Sequence, residues 1–363
     1  RGSERTRGHV SETIPGEELT DRSGQLMGTG PGGNPAEGPA IPHNRAPAKP
    51  AQLPGIWEKE PKWVRSIRYK IDIGPRQFAA TVAASIITLV VLVVSLALSP
   101  ADLDGLMVGS WLVGLAAGIA LTSVGVYGGV LVPGLLLMGV NPLFAAPLSL
   151  FLQVLIVPFG ASAHVRLGNV SKPIVVPLVI GGIIGAVLGP VVASIFDAKV
   201  IAVVVEVLII IGAILLLVSL PLKQMQVTRD PGDVPRVRIA GIGTVSGMFS
   251  GISGAGWGPM GVTLLILSRI EPRIAVGSSV FGRIFMAAAA VISAFVLLTT
   301  GSGHFAEVEP QWELVPVILT ASLATMLPGA ILTSRLGRTR MSMLIATVSI
   351  SLATLALART LFF

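Results

Sequence analysis

The chain contains no cysteine. That excludes disulfides, thiolate metal sites and cysteine nucleophiles, and it says nothing about the redox compartment. Histidine is nearly as scarce. His9, His43, His164 and His304 are scattered without ligand spacing and no HExxH segment occurs, so no metal and no cofactor are expected. There is no Walker A segment, so any work drawn from ATP falls to another subunit. Carboxylates do not cluster either, and with the nucleophiles missing the chain reads as something other than an enzyme. Charge of both signs is sparse, at 12% of residues. That is about half of what a soluble globular domain carries.

What is abundant is apolar. Hydrophobic residues make up 52% of the chain and the mean hydropathy is +0.80, which places it among integral membrane proteins built from helices. The net charge of +7 does not point to nucleic acid. The basic residues sit in short loops between apolar runs and form no continuous patch with aromatics, so they read as topology signals.

Residues 1–55 are rich in Gly, Pro, Glu and Arg with almost no apolar periodicity, and a disordered arm is expected. The first apolar run starts only near Phe78, too far in and too long for a signal peptide. Between the two, residues 56–76 mix Trp57, Trp63 and Tyr69 with Lys62, Arg65, Arg68, Lys70 and Arg76. This pattern suits a segment at the membrane surface, with aromatics at headgroup level and cations toward anionic lipid, or else a solvated linker. Residues 77–106 then supply one extra span and a short acidic loop with Asp102 and Asp104.

The rest is written twice. Ser123 to Phe151 and Ser253 to Phe281, set without gaps at an offset of 130, share nine of twenty-nine positions, including Gly128/Gly258, Pro142/Pro272, Ser149/Ser279 and Phe151/Phe281. Apolar composition explains Leu and Val matches but not a series of Ser, Gly and Pro at one offset, so residues 107–235 and 236–363 read as two membrane repeats. Each opens on an apolar run broken by glycines. Hydrocarbon tolerates broken backbone only where it faces protein or a water-filled cavity, and paired breaks in two repeats mark a transport site. The plainer reading of any single glycine is close helix packing.

Lys and Arg counts arbitrate the topology. If each broken run is a hairpin, the loops with Arg166, Lys172, Lys223, Arg229, Arg236, Arg238, Arg269, Arg273, Arg335, Arg338 and Arg340 share the cytoplasmic side, opposite Glu307, Glu309 and Glu313. The expected fold is therefore an all-α polytopic membrane protein with seven spans, against a nine-span alternative in which both broken runs, long enough to do so, cross. Each repeat has one re-entrant hairpin and three spans, one span precedes them, and the N-terminus is cytoplasmic, in the plasma or inner membrane.

Free N–H groups at half-helix starts attract anions. Tyr127, Gly128 and Gly129 in the first break and Gly256, Trp257 and Gly258 in the second are thus the expected substrate-binding backbone. An intramembrane Arg marks an ion path or a buried pair. Arg283, with its repeat partner Gln153, is the expected anion ligand, against pairing with Glu206 or snorkelling to a headgroup. Glu206 itself reads as a proton carrier or a structural partner. Ser149 and Ser279, like Ser123 and Ser253, offer hydroxyls to a substrate oxygen, although serines in membrane helices commonly bond their own backbone.

With these residues in view the chain resembles the sulfite exporter TauE/SafE family of membrane permeases. The resemblance lies in Gly125, Gly128, Gly129 and Pro133 with Ala145, in Gly254, Gly256, Gly258 and Pro259 with Ala275, and in Gly181, Gly185 and Gly189 of a later helix. It covers residues 107–363 and implies a gradient-driven permease for sulfite or a small organosulfur anion. The first break, VGVYGGV, is less dense in glycine than the family pattern, and residues 1–106 are an addition to it. The expected partners are the small anion and the lipid bilayer, with a homo-oligomer or membrane partner reached through the arm. The alternative is an accessory or scaffolding subunit of a larger complex without transport activity.

Overall fold

The computed structural model describes residues 75–98, 104–222 and 232–362. The arm 1–55, the basic segment 56–76 up to residue 74, the loop 99–103 and the loop 223–231 with Lys223 and Arg229 lie outside the described residues.

Every described element is helical, and no strand forms among the described residues. The elements are α1 Pro75–Leu98, α2 Asp104–Val124, α3 Gly128–Leu137, α4 Pro142–Arg166, α5 Lys172–Ala193 and α6 Ala198–Leu222. A second series follows with α7 Arg236–Ser253, a π-helical turn Trp257–Gly261, α8 Val262–Leu267, α9 Pro272–Thr300, a 3₁₀ turn Gly303–Glu307, α10 Leu314–Leu336 and α11 Arg338–Phe362. Local chemistry sets the ends. Pro142 and Pro272 open α4 and α9, where a missing N–H costs nothing. Gly125 and Gly254 follow α2 and α7 with φ of 82° and 68°, a left-handed stop that suits glycine.

Among the described residues, seven helices are long and apolar enough to cross a membrane: α2, α4, α5, α6, α9, α10 and α11. This set differs from the expected one. α2 has 21 residues, about 31 Å at 1.5 Å per residue, so one arm of the first broken run has the length of a span. α1 contributes a shorter apolar stretch, Val82–Leu98. Short contacts nonetheless join the two sides of each break. Gly134 of α3 lies against Val113 of α2, and Met138 just beyond α3 reaches Gly109 near the start of α2. In the second series Gly261 lies against Ser246 of α7.

The most extensive packing joins α5 to α7 and α2 to α10. Both seams are built on glycine. A Cβ on Gly243 or Gly247 would fall on the carbonyl oxygens of Leu178 or Gly182, one on Gly118 would fall on that of Ser322, and one on Gly114 would crowd Ala321 and the Ile318 backbone. Such backbone contact is how membrane helices gain dispersion energy where lipid offers no hydrophobic drive. α1 docks on α10, and Thr88 accepts from Trp111 Nε1 at 3.0 Å and reaches Thr320 at 3.3 Å. These packings gather the basic ends of α4, α5, α7, α9 and α10 at one end of the bundle, where Lys172 and Arg236 line one groove and Gly277 meets Asn169. The acidic turn lies at the other end, where the His304 N–H bonds the Ser194 carbonyl at 3.0 Å.

Candidate functional site

The two breaks meet. A Cβ on Gly128 would fall on the Gly254 carbonyl and Ala255 Cα, and one on Gly258 would fall on the Gly125 carbonyl and the Arg283 guanidinium. None of the described backbone hydrogen bonds uses the amides of Tyr127, Gly128, Gly129, Gly256, Trp257 or Gly258 as donors. Gly128 and Gly129 open α3, and Trp257 and Gly258 open the π-helical turn, the positions whose N–H groups a helix start leaves over. A Cβ on Gly129 or Gly256 would instead fall on the side chain of Val126 or on the Phe249 ring.

The aromatic side chains of the breaks turn away from it. Tyr127 is buried, with its hydroxyl 2.9 Å from Ser322 Oγ, which in turn donates to the Gly114 carbonyl at 3.0 Å. Trp257 donates from Nε1 to the Ser279 carbonyl at 2.8 Å and lays its ring beside Gly182 and Gly282. Ser149 and Gln153 of α4 are brought to the breaks but spend their donors there, both bonding the Gly254 carbonyl at 3.0 Å. Ser123 donates to the Gly329 carbonyl at 3.2 Å and Ser253 to that of Phe249 at 2.7 Å.

Arg283 and Glu206 are different. Arg283 is 3% exposed, its Nε has no partner, and it forms no ion pair with Glu206 among the described residues. Glu206, on α6, is fully buried with both carboxylate oxygens unpartnered. α6 meets the breaks through Ile209, Gly212, Ala213 and Leu216 and meets the Arg283 side through Leu216 and Ser219. Glu206 is thus about 15 Å along the helix from Leu216, by the helical rise, on the far side of the breaks from Arg283.

Arg283 borders two spaces. A cavity of 510 Å³ is lined by Thr122, Ser123, Gly125, His164 and Thr333 together with apolar side chains such as Ile156 and Val280. A second of 30 Å³ lies between Gly125, Gly258, Pro259, Ser219 and Thr263. Val124, Gly125, Val276, Val280 and Arg283 belong to both linings. His164, two residues before the end of α4 and 3.4 Å from Asn169 Nδ2 through Nδ1, marks the basic end of the larger cavity.

A family model described as Sulfite exporter TauE/SafE matches residues 110–356. The chain belongs to this family. No curated protein and no solved structure matches it. As a TauE/SafE member it is an integral membrane protein of the transporter class, a permease. The match takes in both breaks, Arg283 and Glu206, and starts after α1. Among the TauE/SafE residues around Arg283, Thr122, His164 and Thr333 had no sequence signal. They come from α2, α4 and α10, and only tertiary packing brings them to one cavity.

Proposed function

We propose that the chain is a secondary transporter for a small oxyanion, sulfite or an organosulfur anion, bound where Arg283 borders the two helix breaks. The observation that carries this is Arg283 itself, 3% exposed with a guanidinium Nε that has no partner. Such a charge costs several kcal/mol in a low-dielectric interior until an anion joins it. The guanidinium fork fits a planar pair of oxygens, and the helix starts at the two breaks add partial positive charge. Size separates head from tail. A water needs about 10–15 Å³ of such space, so the 30 Å³ pocket suits a few oxygens, while the 510 Å³ cavity leaves room for an organic tail.

The site lies between two inverted repeats. Gly118 against Ser322 recurs as Gly247 against Gly182, and Gly114 against Ile318 recurs as Gly243 against Leu178. The register supported here is 129 residues ahead of the breaks, as Gly118 to Gly247, and 130 after them, as Gly128 to Gly258. The π-helical turn Trp257–Gly261 accounts for the difference, since a π turn accommodates one extra residue. Each broken run then forms a hairpin returning to its own face, with the basic end of the bundle cytoplasmic and the cavity open to it. Glu206, on the opposite side of the breaks, is the group that carries a proton in coupled export.

Transport in proteoliposomes tests the site. Gly258→Val places a branched side chain on the Arg283 guanidinium and the Gly125 carbonyl, and it should abolish anion flux in protein that is still inserted; wild-type flux would reduce the breaks to packing. Topology is read separately with single cysteines in this cysteine-free chain. Leu167→Cys should label only from the cytoplasm and Glu309→Cys only from outside, and the reverse pattern would overturn the assigned orientation.

A further inference from the structure

The two breaks are held unequally. Gly254, which ends α7, has its carbonyl bonded at 3.0 Å by both Ser149 Oγ and Gln153 Nε2 of α4. Gly125 ends α2 in the same left-handed conformation, and its carbonyl faces Gly258 as that of Gly254 faces Gly128. The matching donors stand on α9: Ser279 and Arg283 repeat Ser149 and Gln153 at an offset of 130, with the same spacing of four. Yet they are not engaged. Ser279 Oγ and Arg283 Nε are both buried and both without a partner.

The helices around the breaks are unequal in the same sense. α9 packs along α5, with Gly282 beside Val179, Met286 beside Gly182, and Ser293 Oγ donating to the Val187 carbonyl at 2.9 Å. The corresponding pair, α4 and α10, is parted by the 510 Å³ cavity, with Ile156, Val157 and Gly160 on one wall and Met326, Ala330 and Thr333 on the other.

We infer that Ser149 with Gln153 and Ser279 with Arg283 are alternating latches on the Gly254 and Gly125 carbonyls. In this structure the first is fastened and the second released, and the cavity lies on the released side. In the opposite state Ser279 and Arg283 donate to the Gly125 carbonyl, α4 closes on α10, Ser149 and Gln153 let go of Gly254, and the α5–α9 seam opens. Arg283 then has two competing acceptors, the anion and a backbone carbonyl. Its charge-assisted bond is the stronger latch, so the anion that occupies Arg283 holds the protein open on the cavity side. Gln153 acts through the breaks, without touching the anion, and is a positioning residue.

This inference rests on reading the breaks as a transport site, and its test needs no transport. Two reporters are introduced singly into the cysteine-free chain. Gly160→Cys sits on the cavity wall, where a Cβ meets nothing within 4 Å, and Ala290→Cys sits fully buried on the sealed side. Gln153→Met keeps the length of the side chain and removes its donors. It should slow maleimide labelling at Gly160→Cys and speed it at Ala290→Cys, changing the ratio of the two rates about fivefold, the scale of one lost net hydrogen bond. Ser149→Ala should move both rates the same way by less, and it serves if Gln153→Met does not fold. General loosening raises both rates, so shifts of like sign, or no shift in either variant, overturn the latches. Normal anion binding in Arg283→Gln overturns the site and leaves the opposed labelling shifts as they are.

Discussion

Arg283→Gln should weaken anion binding about 100-fold or more, since each hydrogen bond to a charged group is worth about 1.5–3 kcal/mol, the guanidinium fork makes two, and each 1.4 kcal/mol is tenfold. Arg283→Lys should fall between, about tenfold weaker, because the ammonium keeps the charge and loses the planar fork that grips two oxygens at once. The measurement is thermal stabilisation of purified protein by a panel of sulfite, sulfate, thiosulfate, taurine and sulfoacetate, because a ligand that binds only the folded state raises its stability by mass action. Without ligand the order should invert. Arg283 is buried with no partner for Nε, so exchanging it for neutral Gln removes a desolvation cost, and apo Arg283→Gln should melt higher than the apo wild type. A fall in apo stability together with unchanged ligand response would make Arg283 a structural charge.

Gly185→Val should eliminate the folded protein. A Cβ at Gly185 would strike the Thr244 carbonyl oxygen and the Met248 nitrogen, both backbone, so nothing flexible is there to yield. Gly185 and Gly181, which presses on the Ala240 carbonyl, stand one turn apart on the α5–α7 seam, and parting that seam forfeits dispersion contacts along both helices. The expected loss is about 3 kcal/mol or more, the upper range for overpacking in a core. It is read as loss of monodisperse protein after extraction, or as a collapse of the melting temperature. Gly160→Ala is the control, since its Cβ meets no atom within 4 Å, and it should not lower stability, because Ala is the better helix former. A wild-type melt for Gly185→Val would mean that the seam does not depend on backbone approach.

The arm makes a smaller claim. Deleting residues 1–55 should leave insertion and anion binding intact, because polar segments without apolar periodicity bury no core. Loss of folded protein on that deletion would move weight to a partner-binding role for the arm.

Membrane class, helical fold and the places where helices break were legible in the sequence, because each depends on local composition. An apolar run long enough to cross hydrocarbon declares itself, and so does a glycine cluster that interrupts one. The family resemblance rested on the same glycines, and the family match covers them. Arg283 stood out for a similar reason, as an arginine between FG and IF inside an apolar run has no cheap explanation. Seam partners were not legible. The sequence does not say that Gly114 and Gly118 meet α10 while Gly243 and Gly247 meet α5, because a glycine face fits any close neighbour. The side chains of Tyr127 and Trp257 matched in the sequence as site residues, yet folding sends them to Ser322 and to the Ser279 carbonyl. Ser149 and Ser279 occupy equal places in the repeats, and only the tertiary structure decided that one is bonded and the other is free. A repeated sequence specifies two equal sets of groups. Which set is satisfied depends on how the two halves tilt against each other, a property of the packed whole that no local segment encodes.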